Sequence, residues 1–213
     1  MKKAMRFAAS AVFAALLAFV PAGCGDDDKG GGGNDDVGDN DRNLVACLGD
    51  SITQGYACEG APYPARLAVY SGKTVKNYGV GGTTSSYGAS VVGSALRRKP
   101  GYVCVLFGAN DCIQGVDPGA TVANLRRIVH ACKNNKTKVI LATPTPMKDG
   151  HARFNGRVKA LAPAIKAMAK EEGVPCIDLN KAFGDGTGLV NADGLHMTDA
   201  GSDLIAKKFN SKM

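Results

Sequence analysis

Four short segments of the chain carry side chains and backbone groups that together suit acyl-transfer chemistry. They are, in order, Gly49–Thr53, Asn77–Gly82, Gly108–Asp111 and Asp193–His196. A serine hydroxyl becomes a nucleophile when a base takes its proton, and backbone N–H and side-chain amide groups stabilise the oxyanion that its attack creates. Each segment alone is equally typical of a turn or a helix cap. Their co-occurrence in one chain predicts a single hydrolytic site.

The nucleophile and its base are Ser51 and His196 in this interpretation. Ser51 follows an apolar strand-like run by three residues, on a turn from which its hydroxyl can project. Asp193 precedes His196 by three residues, and in a turn this spacing lets a carboxylate hold the imidazole Nδ1–H while Nε2 faces outward. The other histidines fit less well, because His130 falls late in an amphipathic helix and His151 lies in a loop without a partner pattern.

The elements that must position these segments alternate between short apolar runs and longer amphipathic ones. Since nearly continuous apolar strands are typical of parallel sheets covered on both faces, and helical connections imply right-handed βαβ units, we predict a doubly wound α/β fold. Ligands in such folds bind beyond the carboxyl ends of the strands, where the four segments fall. The predicted strands span residues 44–48, 74–77, 102–107, 138–142 and 174–179.

Three helices are predicted from their caps and apolar stripes. Asp117 followed by proline is typical of a helix start. A second stripe runs from Phe154 to Met168, where Pro163 should kink or restart the helix. Thr198 can cap a last helix that turns Ala200, Leu204 and Ile205 inward.

The N-terminal 42 residues do not read as part of this domain. Residues 1–23 have the basic start and short apolar run of a signal peptide, and Val20–Cys24 resembles a bacterial lipoprotein processing site. We therefore expect export and lipidation of Cys24, which would anchor the protein at a membrane of the cell envelope; a soluble secreted or periplasmic protein is the alternative. Residues 24–42, rich in Gly and Asp, predict a disordered tether, and residues 43–213 the folded domain.

The cysteine spacing and the distribution of basic residues argue against a metal site and against nucleic-acid binding. No Cys-x-x-Cys spacing occurs, so we expect no metal site. An exported protein permits disulfides, and Cys58 and Cys112 follow the first and third segments, so a Cys58–Cys112 bridge is the favoured pairing. The net charge is +7, but the basic residues are scattered and no nucleic-acid-binding motif accompanies them.

The four segments resemble those of the SGNH (GDSL-type) hydrolase superfamily, in which Ser, Gly, Asn and His come from four spaced blocks. The resemblance extends from Leu44 to about Gly201, essentially the whole predicted domain. It implies a flavodoxin-like three-layer α/β/α sandwich with a five-stranded parallel sheet, in agreement with the independent strand count. It also implies a serine esterase without a cofactor.

Roles follow from the resemblance position by position. Ser51 corresponds to the nucleophile, His196 to the base and Asp193 to the orienting carboxylate. The oxyanion donors correspond to the Ser51 N–H, Gly82 (with Gly81 as the alternative) and Asn110.

The implied substrates are short to medium acyl esters, above all acetyl esters of carbohydrate. A lysophospholipase or thioesterase acting on lipid acyl groups is the alternative, but it would need an extended apolar wall, and the loop 142–150 offers little beyond Met147 and prolines. A catalytically inactive surface-binding lipoprotein is a third interpretation, against which the complete set of site residues argues.

Overall fold

The computed structural model describes residues 36–213, which are built around a five-stranded parallel sheet. Its strand order is β2-β1-β3-β4-β5, and all four neighbouring pairs are parallel. The strands are β1 (Asp41–Gly49), β2 (Thr74–Gly79), β3 (Pro100–Leu106), β4 (Lys138–Ala142) and β5 (Cys176–Ile177). The predicted fold class is confirmed.

The inner strands bury most of their side chains because helices cover both faces of the sheet. Their register brings Gly49 beside Gly79 on one side and beside Leu106 on the other, so the first three strands end at the same level. Strand β2 forms one edge and is partly exposed. Strand β5 is shorter than predicted, because Leu179 already begins a helix.

The helices form a layer on each face of the sheet. From β1 the chain moves outward to β2 and then crosses back over β1 to β3, and because crossovers are right-handed this reversal places α2 and α3 on opposite faces. Helix α8 packs on α2, while α3, α5 and α6 pack side by side. The helices are α1 (Ser51–Gln54), α2 (Tyr63–Ser71), α3 (Ser85–Leu96), α4 (Ala109–Gln114), α5 (Pro118–Asn134), α6 (Asn155–Glu171), α7 (Leu179–Phe183) and α8 (Asp199–Asn210), with a 3-10 helix over Asp149–Phe154.

No helix within residues 36–213 combines the length and the apolar character needed to cross a bilayer.

The predicted caps are present, but the inward face of the last helix differs from the prediction. Asp117 accepts a hydrogen bond from the Ala120 N–H at 3.1 Å, and the Thr198 hydroxyl accepts one from the Gly201 N–H at 3.1 Å. Ala200 is exposed rather than inward. Gly201 packs closely against the Leu189 backbone, so the buried face of α8 begins one residue later than predicted. That face carries Gly201, Ser202, Ile205, Ala206 and Phe209.

Pro163 does not restart its helix, and α6 continues through it. The proline removes the hydrogen bond to the Lys159 carbonyl. Both Pro163 and Lys159 are exposed, so water can satisfy that carbonyl and the helix loses little.

The ordered domain begins before residue 43, so the predicted end of the tether is wrong. Val37 is buried, and Arg42 already belongs to β1. The Asn40 side-chain amide donates to the Asn135 carbonyl at 2.6 Å, which fixes this segment against the end of α5. The signal peptide and Cys24 lie outside the described residues.

The predicted Cys58–Cys112 bridge is wrong, and both thiols are free. Cys58 lies against the start of α8, where its Sγ is 3.4 Å from the Ser202 Oγ. Cys112 is buried in α4, where the Arg157 guanidinium donates to its carbonyl at 2.8 Å. The two loops do converge on one site, but their cysteines turn to different helix layers.

Candidate active site

The candidate site lies at the carboxyl ends of β1, β2 and β3. The chain leaves β1 in one direction and reaches β3 by crossing back, so the strand order reverses here, and ligands of open α/β sheets bind at such switch points. Ser51 is the first residue of α1, two positions after the end of β1, and Asn110 is the second residue of α4, after β3. The Gly81–Gly82 pair follows β2.

Ser51, His196 and Asp193 form one continuous hydrogen-bonded chain. The Ser51 Oγ is 2.9 Å from the His196 Nε2, and the His196 Nδ1 is 2.6 Å from the Asp193 Oδ2. Since a carboxylate only accepts hydrogen bonds, Nδ1 carries a proton, and in the neutral form of the ring Nε2 is the acceptor for the serine hydroxyl. Ser51 and His196 are both buried. This arrangement can transfer the serine proton to the imidazole.

Asp193 is held as a carboxylate by the turn that it begins. Burial raises the pKa of Asp193, but hydrogen bonds from the N–H groups of Leu195 and His196, each 2.9 Å from its Oδ1, outweigh that effect. The net result is a pKa below the ordinary aspartate value. One oxygen of the carboxylate is therefore fixed by backbone and the other faces the imidazole.

Backbone hydrogen bonds hold the turn that carries Asp193 and His196, one within the turn and one from a neighbouring loop. The Asn191 N–H donates to the His196 carbonyl at 2.7 Å. The Lys148 N–H donates to the Gly194 carbonyl at 2.8 Å. Gly194 has φ +75°, and a Cβ there would collide with the Lys148 carbonyl, so this position requires glycine.

Asn110 and the Ser51 backbone each carry an amide donor at the start of a helix that follows a strand. The Asn110 Nδ2 donates to the Thr83 carbonyl at 3.0 Å, and residues 36–213 provide no acceptor for its second hydrogen. The Ser51 N–H, at the first position of α1, precedes the intrahelical hydrogen bonds. The Ser51 N–H and the Asn110 amide are thus available as donors after β1 and β3.

The two candidate glycines differ in their surroundings. A Cβ on Gly81 would lie 3.8 Å from the Ser51 Cβ and 2.9 Å from the Gln54 Oε1, whereas Gly82 has open space and φ +74°. The Gly82 carbonyl accepts a hydrogen bond from the Gln114 side chain at 3.2 Å. The two residues thus share one loop beside the serine, with Gly82 in the conformation that favours glycine.

Two buried carboxyl groups lie beneath the site, and sequence reasoning missed them. Asp50 caps α1 through a 3.0 Å hydrogen bond from the Ile52 N–H, while its Oδ2 is buried without a partner in the described part of the chain. Burial, together with the charge of Asp111, raises the pKa of Asp50 to about 7. Asp111 is satisfied by Ser85, whose N–H and hydroxyl donate to it, and by Thr121.

Three further residues around the imidazole have no spacing that predicts them. The Tyr56 ring centroid lies 4.7 Å from that of His196. The Asn191 side chain donates to the Ala57 carbonyl at 2.7 Å. The His151 Nδ1 is 2.8 Å from the Asp193 carbonyl, so this histidine does have a partner. The usable sequence signal for Tyr56 and Asn191 is their closeness along the chain to predicted site residues. Tyr56 follows Ser51 by five residues, and Asn191 precedes Asp193 by two.

Among residues 36–213, no group of three or more His, Cys, Asp or Glu side chains is arranged to hold a metal ion.

Comparisons with known proteins identify the family of this chain. Residues 47–204 match the GDSL-like Lipase/Acylhydrolase family. YqeF of Bacillus subtilis, named as an uncharacterized lipoprotein, is 26% identical over 89% of this chain and 92% of that protein. The acetylxylan esterase of Xylanibacter ruminicola is 26% identical over 76% of this chain but only 41% of that protein. The lipase/acylhydrolase from Enterococcus faecalis superposes with a TM-score of 0.70 and 27% identity, covering 79% of this chain and 93% of that one. The chain therefore belongs to the GDSL-like lipase/acylhydrolase (SGNH) family and is an acylhydrolase.

Proposed function

We propose that this acylhydrolase removes short acyl groups, acetyl above all, from carbohydrate esters by a serine mechanism. The observation that carries the proposal is the unbroken hydrogen-bonded chain from the Ser51 hydroxyl through His196 to Asp193. Its far end carries the ionised carboxylate that the reaction needs, because hydrogen bonds hold the pKa of Asp193 below its ordinary value.

In the proposed reaction the Ser51 Oγ attacks the ester carbonyl carbon while His196 Nε2 takes the serine proton. Collapse of the tetrahedral intermediate breaks the bond to the alcohol, and His196 returns the proton to the leaving oxygen. Water then attacks the acyl-serine with the same base, and the carboxylic acid leaves. Asp193 keeps Nδ1 protonated and stabilises the imidazolium throughout.

The proposed oxyanion donors are the Ser51 N–H, the Gly82 N–H and the free amide hydrogen of Asn110. They come from the ends of three different strands, so the sheet itself fixes their separation. A single such donor is worth about 3 kcal/mol of transition-state stabilisation. The Thr83 carbonyl supports this role because it orients the Asn110 amide before substrate arrives.

The preference for short acyl groups rests on the surroundings of the site. Met147, the main apolar side chain of the loop 142–150, is buried in the core and offers no surface to a long acyl chain. The similarity to an acetylxylan esterase supports acetylated carbohydrate as the substrate class.

The test is hydrolysis of p-nitrophenyl acetate, butyrate and octanoate by the full chain and by Ser51→Ala. We expect the fastest turnover with acetate and loss of all turnover in Ser51→Ala, with Ser94→Ala, an exposed serine of α3, unchanged. Retained turnover in Ser51→Ala would contradict the nucleophile, and fastest turnover with octanoate would contradict the acyl preference.

We also propose that residues 1–23 are a signal peptide and that Cys24 carries a lipid anchor at the cell envelope. The similarity to a protein named as a lipoprotein supports this proposal. Metabolic labelling with radioactive palmitate in a bacterial host tests it. We expect label on the wild-type chain and none on Cys24→Ser, and an unlabelled wild-type chain would contradict it.

A further inference from the structure

Tyr56 is an aromatic residue beside the proposed base that the catalytic scheme leaves without a task. Its ring is packed against the His196 imidazole, with centroids 4.7 Å apart and planes inclined at 59°. The residue nevertheless keeps 62% of its surface exposed, more than any other exposed aromatic residue of the described domain. Its hydroxyl makes no hydrogen bond within residues 36–213. An apolar ring face and a polar group are therefore both open to solvent at the site.

The backbone around Tyr56 is fixed in a costly conformation. The Tyr56 N–H donates to the Ser51 carbonyl at 3.0 Å, which ties it to the serine. The next residue, Ala57, has φ +55°, a left-handed conformation that costs a non-glycine residue about 1–2 kcal/mol. Such strain persists only where neighbouring contacts maintain it, and it is common at functional sites.

Asn191 supplies the contact that maintains this strain. Its side-chain amide donates to the Ala57 carbonyl at 2.7 Å and to the Met197 carbonyl at 3.0 Å. Its N–H donates to the His196 carbonyl at 2.7 Å. One residue therefore connects the backbone that carries Tyr56 to the turn that carries the base, so the ring and the imidazole keep a fixed relation.

The position of the ring determines which half of an ester would meet it. In the proposed reaction His196 returns its proton to the leaving alcohol, so that oxygen must lie within hydrogen-bond reach of Nε2. The acyl oxygen instead points to the donors at Ser51, Gly82 and Asn110. Tyr56 packs on the imidazole, and its open ring therefore faces the side where the alcohol half of the substrate sits.

We propose that Tyr56 is a specificity-determining platform on which the pyranose ring of the alcohol half stacks during hydrolysis. This inference rests on the proposed function and extends it to the leaving group. A pyranose presents a flat face of C–H groups, which can stack on the exposed face of an aromatic ring. An exposed ring without an enclosing wall suits such a polyol better than an alkyl chain.

The test compares two acetate esters that differ in the alcohol, ethyl acetate and methyl xylopyranoside triacetate, in the wild-type full chain, Tyr56→Phe and Tyr56→Leu. Leucine keeps an apolar contact with His196 but removes the flat ring. We expect Tyr56→Leu to lower kcat/KM for the sugar ester about three- to tenfold, mainly through KM, as the loss of one aromatic contact predicts. Ethyl acetate should change less than about twofold, Tyr56→Phe should keep the sugar preference, and Tyr87→Leu, at an exposed aromatic residue of α3, is the matched control.

Equal losses on both esters would overturn the proposal, because Tyr56 would then act through His196 alone. No loss on either ester would overturn it as well. Inactivity of the wild-type chain on both esters would instead contradict the proposed function. Saturation-transfer NMR with xylotriose separates the two cases, since it needs no turnover. We expect transfer to the sugar in Ser51→Ala and its loss in Ser51→Ala/Tyr56→Leu, and equal transfer in both would overturn the platform.

Discussion

The His196 Nε2 lies 2.9 Å from the Ser51 Oγ, although 145 positions separate the two residues in the sequence. Ser51 is fixed by the end of β1, and His196 by a turn that follows the last strand and precedes α8. Their contact therefore depends on correct docking of the C-terminal part of the chain onto the sheet. A substitution that disturbs the end of β1 or the turn before α8 is expected to affect activity more than the free energy of unfolding.

The carboxylate of Asp193 is expected to contribute to rate more than to folding. Asp193→Asn keeps an oxygen for the Leu195 and His196 N–H groups but replaces the acceptor of Nδ1–H by an amide. The imidazole then adopts the wrong tautomer, and we expect kcat for p-nitrophenyl acetate to fall about a hundred- to ten-thousandfold. Thermal unfolding should change little, because the side chain is 37% exposed. A loss smaller than about tenfold would show that Asp193 does not set the tautomer.

Asn110 is expected to act on the transition state and not on substrate binding. Asn110→Ala removes the amide that the Thr83 carbonyl orients, and we expect kcat to fall about a hundred- to a thousandfold with KM nearly unchanged. The control is Asn124→Ala, which removes an amide bonded to the Ser85 hydroxyl in the neighbouring buried network. Similar kcat losses in the two variants would mean that Asn110 acts by supporting the loop.

Ionisation of Asp50 is expected to lower the free energy of unfolding as the pH rises. Its pKa is raised from 3.8 to about 7 in the folded state, so between these values the unfolded chain releases a proton that the folded chain retains. Unfolding becomes easier across this window, by up to about 4 kcal/mol at about 1.4 kcal/mol per pKa unit. Asp50→Asn keeps the cap on the Ile52 N–H and removes the titration.

The measurement for Asp50 is the free energy of unfolding in urea between pH 4 and pH 8. We expect a smaller decline with pH in Asp50→Asn than in the wild-type chain. Asp117→Asn, at the exposed cap of α5, is the matched control and should leave the decline unchanged. Parallel curves for wild type and Asp50→Asn would contradict a buried, protonated Asp50.

Gly194 is expected to be intolerant of any side chain. Gly194→Ala would hold alanine at φ +75° and press its methyl group against the Lys148 carbonyl, so the turn must move away from Ser51. We expect a destabilisation of about 1–3 kcal/mol and a loss of kcat above about tenfold, because small displacements of reacting groups are costly. Gly150→Ala, in the neighbouring 3-10 helix with open space around it, should leave both kcat and the free energy of unfolding nearly unchanged. Normal kcat in Gly194→Ala would show that the turn tolerates movement.

The sheet and the four segments could be predicted because their signals are local. Apolar runs identify buried parallel strands, and the residues after each run then fall at one edge. Tyr56, Asn191 and His151 could not be predicted, since their contacts arise from how three loops pack and no spacing encodes that. The Cys58–Cys112 bridge failed for a related reason. Convergence of two loops was predictable, but the surroundings of each cysteine depend on packing against α8 and α6.

The order of the elements along the chain also has a consequence for biosynthesis. A nascent chain that ends near Gly188 already contains all five strands, the serine and the Asn110 amide, but neither Asp193 nor His196. In the proposed reaction its serine then has no proton acceptor, so the partly made protein is not expected to attack esters that it meets. The capacity for hydrolysis arises in one step, when the segment that carries Asp193 and His196 has been made and has docked, as expected for a small cooperative domain.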